Sequence, residues 1–126
     1  MDSVVHFEIP ADDLKRASAF YKKAFGWNAE EFKDMGYWML ATTESTEQGM
    51  PKNPGSINGG MGKRAGPLKG IVVTIAVKDI DKSLAKIETL GGKTVAKKQA
   101  IGGDMGFTAY FKDSEGNIVG LWQAST

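Results

Sequence analysis

Cysteine is absent from this chain of 126 residues, which excludes disulfides, thiolate catalysis, cysteine-ligated zinc and iron–sulfur clusters together. Charge of one sign is also lacking. Lys and Arg number 16 against 15 Asp and Glu, for a net charge of +1, and the two signs are interspersed, as in Asp79-Ile80-Asp81-Lys82. The densest basic runs, Lys15-Arg16, Lys22-Lys23, Lys63-Arg64 and Lys97-Lys98, are two residues long with no aromatic within them. Such runs read as solvated faces, so no nucleic-acid partner is expected. No window approaches the ~18 uninterrupted apolar residues of a membrane span, and Asp2 and His6 stand where a signal peptide needs basic and then apolar residues. A soluble cytoplasmic protein with no membrane partner is expected.

What is present is an internal repeat. In Asp12 to Trp27, Asp13, Leu14, Tyr21, Ala24 and Gly26 are matched 66 positions later by Asp79, Ile80, Ile87, Leu90 and Gly92. Asp34-Met35-Gly36-Tyr37 returns as Asp104-Met105-Gly106-Phe107 at an offset of 70, and Gly55, Ile57 and Gly59 as Gly116, Ile118 and Gly120 at an offset of 61. Two related modules are implied, one at about residues 1–65 and one at about 66–126. With 41% hydrophobic residues, they are expected to form one compact domain spanning 1–126.

Each module reads as βαβββ. Val4 to Ile9 alternates apolar Val5, Phe7 and Ile9 with His6 and Glu8, the period of a half-buried strand that Pro10 is expected to end. Asp12 or Asp13 caps the helix that follows. Its stripe is Leu14, Ala17, Tyr21, Ala24 and Phe25, and Gly26 stops it. Strands at 27–32 and 36–41 flank a turn around Asp34, a long loop covers 42–55, a glycine-rich strand covers 56–62, and 63–70 links the modules. The second module repeats the order: a strand at 71–77, a helix capped near Asp79 with Ile80, Leu84, Ile87 and Leu90 buried, and strands at 93–97, 106–111 and 117–123. Neither module has helix enough to cover both sides of its sheet. The fold class is therefore α+β, two tandem βαβββ modules forming a cleft between curved mixed sheets.

Phe20-Tyr21 and Phe25-Gly26-Trp27 after a capped helix, the repeat, and Asp113-Ser114-Glu115-Gly116-Asn117 before the last strand resemble the vicinal oxygen chelate superfamily, the glyoxalase, bleomycin-resistance and extradiol-dioxygenase fold. The resemblance implies that a metal, where members use one, is held by the first and last strands of each module. Here His6 matches the first position, but its repeat mate is Val72, and the last-strand positions fall on Gly120 and, as its mate, Gly59. Valine and glycine side chains cannot ligate, and one imidazole supplies one of the three or four ligands such ions require. A member without metal or other cofactor is expected, the alternative being a divalent ion at His6.

Glu8 shares a face with His6 and can join it as acid and base, so the pair is the catalytic candidate. A hydrogen-bonded pocket or core histidine, with Glu8 paired to a lysine, is the structural alternative. Trp38, Met39, Asn58, Gly59, Met61, Phe107, Gly120 and Trp122 are the candidate ligand-binding residues, aromatic and apolar walls with few polar anchors. At the glycines, a sheet bulge or close packing is the structural alternative. Three functions follow: a metal-independent protein binding a small organic molecule in the inter-module cleft, as bleomycin-resistance relatives do; a lyase, isomerase or hydroxylase-like enzyme using His6 and Glu8; or an accessory module with a vestigial cleft. The resemblance also implies a homodimer.

Overall fold

The computed structural model describes residues 1–32 and 36–126, so the turn expected at Asp34, and the Asp34-Met35 part of the repeat, lie outside the described residues. Asp13 begins the first helix: its extended backbone lets the carboxylate accept the Arg16 N–H at 3.0 Å, one of the donors a helix start leaves without a partner. The helix α1 (Leu14–Phe25) ends at Gly26, whose φ of 77° carries the chain into the left-handed turn. That turn folds Trp27 back over Tyr21, the rings stacked at 4.9 Å and 9°, which gives the Tyr21…Gly26-Trp27 spacing its physical reason. In the second helix, α2 (Ile80–Thr89), Asp79 caps in the same way, accepting from Lys82 N at 3.0 Å. The two caps stand 66 residues apart, as the repeat requires.

The chain folds as two units, His6–Ile71 and Met1–Val5 with Val72–Thr126, the first five residues grouping with the second half. The strands are β1 (Val4–Ala11), β2 (Asn28–Phe32), β3 (Tyr37–Ala41), β4 (Gly59–Lys63), β5 (Val72–Ala76), β6 (Lys93–Ala100), β7 (Phe107–Lys112) and β8 (Ile118–Gln123), making mixed sheet in an α+β fold. In the first unit the order is β2-β3-β4-β1, with β1 and β4 parallel and the other pairs antiparallel. In the other it is β5-β8-β7-β6, with β5 and β8 parallel. There the Ala76 N–H donates to Ser3 O at 2.9 Å, tying the chain's start to β5.

Each unit has its own core on the helix side of its sheet. Ile9, Ala11, Leu40 and Met61 form one, with Phe7, Leu14, Ala17, Tyr21 and Trp38 packed on it. Ile80, Leu84, Ala109, Phe111 and Leu121 form the other.

Three expectations are corrected. Pro10 does not end β1, because it stays in register with Gly62 and proline is tolerated where the ladder does not need its missing N–H. The α1 stripe stops at Tyr21: Ala24 is exposed and Phe25 is 65% exposed, its ring lying beside Tyr21 and Trp27 at 6.3 and 5.8 Å rather than in the core. Likewise Leu90, 70% exposed, lies just beyond α2 and outside its core.

Candidate functional site

In the first unit the pleat separates two faces of the sheet. Phe7, Ile9, Met61 and Trp38 go to the helix side. His6, Glu8, Tyr37, Met39 and Gly60 take the other, because register sets Glu8 beside Gly60 and Gly60 beside Met39, while Tyr37 stands opposite Gly62. Gly60 and Gly62 leave a channel along β4, and the Tyr37 side chain lies in it. A Cβ on Gly60 would run into the Tyr37 hydroxyl and ring, and one on Gly62 would meet Tyr37 Cδ1 at 3.5 Å. At the end of that channel the Tyr37 hydroxyl is 3.0 Å from His6 Nε2, in a hydrogen bond. Glu8, 7% exposed, is the charge that acts on His6.

Burial pushes the His6 imidazole below its ordinary value, and the negative charge of Glu8 opposes this only in part, so His6 is neutral at pH 7. The sign for stability follows from linkage. A folded-state pKa below the unfolded value means that the unfolded chain takes up the proton first, so the contribution is present above the unfolded pKa and is lost as pH falls through the folded one. Since this is the chain's one histidine, its C2–H resonance can be followed without assignment. Its titration is expected to have a midpoint below 6.5, and urea-denaturation stability is expected to decrease as pH drops from about 7 to about 5. A midpoint above 6.5 would show that the charge of Glu8 outweighs burial.

The other expected site residues are distributed as follows. Met39 is on the His6 and Glu8 face, whereas Trp38 and Met61 are on the opposite one within the core. Gly59 also points to the helix side, where its missing Cβ would lie 2.6 Å from Phe7 Cζ, so its lack of a side chain makes room for Phe7. Asn58 clamps the 42–55 loop: its Oδ1 accepts from Thr42 N at 2.9 Å and Thr43 N at 3.2 Å, and its Nδ2 donates to Ser45 Oγ at 3.0 Å. In the second unit Gly120 lies beside Thr74, whose Oγ1 is 2.8 Å from where its Cβ would be. Trp122 is two residues on, with its Nε1–H donating to Met105 O at 2.8 Å, while Phe107 packs on the helix-side core. A shallow hollow between α2 and β6 is lined by Asp81, Leu84, Ala85, Glu88, Thr94 and Lys97, none of them an expected site residue.

Register also corrects the repeat. Glu8 pairs with Gly60 and Thr74 with Gly120. Glu8 and Thr74 are 66 apart, so the mate of Gly120 is Gly60 rather than Gly59. Similarly, Tyr37 faces Gly62 while Thr108, not Phe107, faces Trp122. A slip of one residue moves a side chain to the other face, and for that reason Tyr37 is absent from the sequence-derived site. The available signal was the alternation Gly60-x-Gly62, which opens a strand's face to a neighbouring aromatic ring.

The donor set does not fit the metal that the resemblance implies. Beside Glu8 stands a glycine, the Nε2 of His6 is engaged by Tyr37, and among the described residues no three His, Cys, Asp or Glu side chains come together.

The family described as bleomycin resistance protein-like, N-terminal, matches residues 3–43. A methylmalonyl-CoA epimerase variant of Streptomyces coelicolor, solved with 2-nitronate-propionyl-CoA, is similar in structure at 18% identity and a TM-score of 0.66, covering 98% of this chain and 97% of that one. Methylmalonyl-CoA epimerase from Mycobacterium tuberculosis is similar at 20% identity and a TM-score of 0.63, covering 96% and 87%. A hypothetical protein of Bacillus halodurans C-125 is similar at 14% identity and a TM-score of 0.64, covering 97% and 94%. No curated protein matches the chain in sequence. Among the described residues no helix is long and apolar enough to cross a membrane.

Proposed function

We propose that this chain, whose residues 3–43 match the bleomycin resistance protein-like family and whose fold is similar to that of methylmalonyl-CoA epimerase, is a vicinal oxygen chelate member that binds a small organic molecule without a divalent metal, against the sheet face that carries His6, Glu8, Tyr37 and Met39. One observation carries the reading: the hydrogen bond between Tyr37 and His6 across Gly60, beside Glu8. A neutral imidazole, a phenol and a carboxylate offer donors and acceptors in fixed positions, and Met39, 37% exposed, offers an adaptable apolar surface next to them. Pockets for small molecules are built in this way, mostly apolar with a few oriented polar groups.

The test is a thermal-shift screen with small aromatic and heteroaromatic compounds, beside native mass spectrometry of the purified protein. At least one compound is expected to raise the melting temperature of the wild type and to do so less in Met39→Ala and Glu8→Gln. A screen with no stabilising compound and no co-purified mass would remove the reading. The superfamily habit of pairing chains adds a homodimer, which light scattering at micromolar concentration reads directly, and a cytoplasmic location, which fractionation reads.

Enzymatic use of the same groups is the second reading, favoured by the interaction of Glu8 with a neutral imidazole. Methylmalonyl-CoA epimerase has been solved with methylmalonyl-CoA bound, and acyl thioesters are therefore the first substrates to try. In a lyase, isomerase or hydroxylase-like reaction, His6 accepts a proton and Glu8 orients or stabilises the imidazolium. Turnover abolished in His6→Ala while ligand binding persists would favour this reading over sequestration.

A further inference from the structure

Tyr37 reaches the site from β3, across β4, to a histidine on β1. We propose that Tyr37 is the specificity-determining residue that closes this site to divalent metal ions, its ring occupying the space over Gly60 and its hydroxyl holding Nε2 of His6. The inference rests on the site placement argued above and concerns what that site refuses.

Two features of the geometry combine. Glu8 and Gly60 are register partners on one face and His6 is two residues from Glu8, so a carboxylate at position 60 would complete a His, Glu, Glu cluster, the number of protein ligands a divalent ion needs. No such side chain fits while Tyr37 keeps this position, because even a Cβ at 60 runs into its hydroxyl and ring. The imidazole is also committed. A metal takes the lone pair of one ring nitrogen, and here Nε2 is already engaged in a hydrogen bond with the Tyr37 hydroxyl at 3.0 Å. Tyr37 therefore occupies both the missing donor position and one of the two ring nitrogens of the donor that remains.

The experiment follows the single histidine by NMR while Ni²⁺ is added, with calorimetry for stoichiometry. The wild type is expected to show no stoichiometric binding and no selective broadening of the His6 C2–H resonance. Tyr37→Ala combined with Gly60→Glu is expected to bind one equivalent, to broaden that resonance, and to gain about tenfold or more in affinity, the scale on which groups around a metal site act. Wild-type binding that broadens His6 overturns the proposal, as does a double variant that melts cooperatively but gains nothing. Should the double variant not fold, Tyr37→Ala alone decides: a gain in Ni²⁺ affinity supports the proposal and an unchanged affinity overturns it. Binding of organic compounds by the wild type is measured separately, so the proposed function and this inference can fail independently.

Discussion

Ile80→Ala is expected to cost about 3 kcal/mol and to lower the melting temperature by on the order of 10 °C. Ile80 opens α2, is 0% exposed, and sits against Leu84, Ala109, Phe111 and Leu121. Its backbone N–H donates to Gln123 Oε1 at 2.8 Å, so the helix start is held in place and cannot settle into the space the lost methyls leave. Much of the transfer loss and the cavity penalty should therefore appear together. Leu90→Ala is the internal control: at 70% exposure its side chain has little burial to lose, and the change should stay within about 0.5 kcal/mol. Chemical denaturation of the two variants checks the pair. Equal losses would show that the core of this unit lies elsewhere.

The second large effect is expected at Gly106, where alanine should destabilise by about 2–4 kcal/mol from two additive causes. Its φ of 88° lies in the left-handed region that side chains other than glycine rarely adopt. In addition, a Cβ there would overlap the carbonyl oxygen of Gln123 and come within 3.1 Å of Trp122 Nε1. The obstruction is backbone, and Gln123 is paired with Phe107 across the β7–β8 ladder, so it cannot rotate away. Gly116 separates the causes. Its φ is 85° but nothing lies within 4 Å of its missing Cβ, so Gly116→Ala should show only the conformational part, about 1 kcal/mol. If Gly106→Ala costs no more than Gly116→Ala, the β8 carbonyl yields and the packing argument is wrong.

Local signals in the chain were dependable where one residue type answers one local need. Asp13 and Asp79 were legible as caps because a short carboxylate next to orphan N–H groups is a local solution. Gly26 was legible as a stop because φ of 77° is open to glycine. The alternation around His6 and Glu8 placed both on one face, where the structure has them. Periodicity overextends the helix stripes at Phe25 and Leu90, since it tells which side of a helix is apolar but not which of those residues the core covers.

The site itself was less legible. Gly59 and Gly60 are neighbours of the same type, so pattern alone could not tell which one mates with Gly120. Matching Gly59 to Gly120 assigns it to a ligand, whereas it faces Phe7. By the same slip, Tyr37 was matched to Phe107, a core residue, and its part in the site was hidden.

By itself the sequence determined the two-module βαβββ plan, both helix caps, the shared face of His6 and Glu8, and the lack of cysteine chemistry, because each depends on residue type and spacing along the chain. Tertiary structure alone decided that Tyr37 crosses Gly60 to reach His6, that Asn58 serves the loop, and that Trp38 and Met61 belong to the core. The physical reason is strand register: a shift of one residue costs nothing in composition but exchanges the two faces of a sheet, and only pairing with the neighbouring strand selects between them.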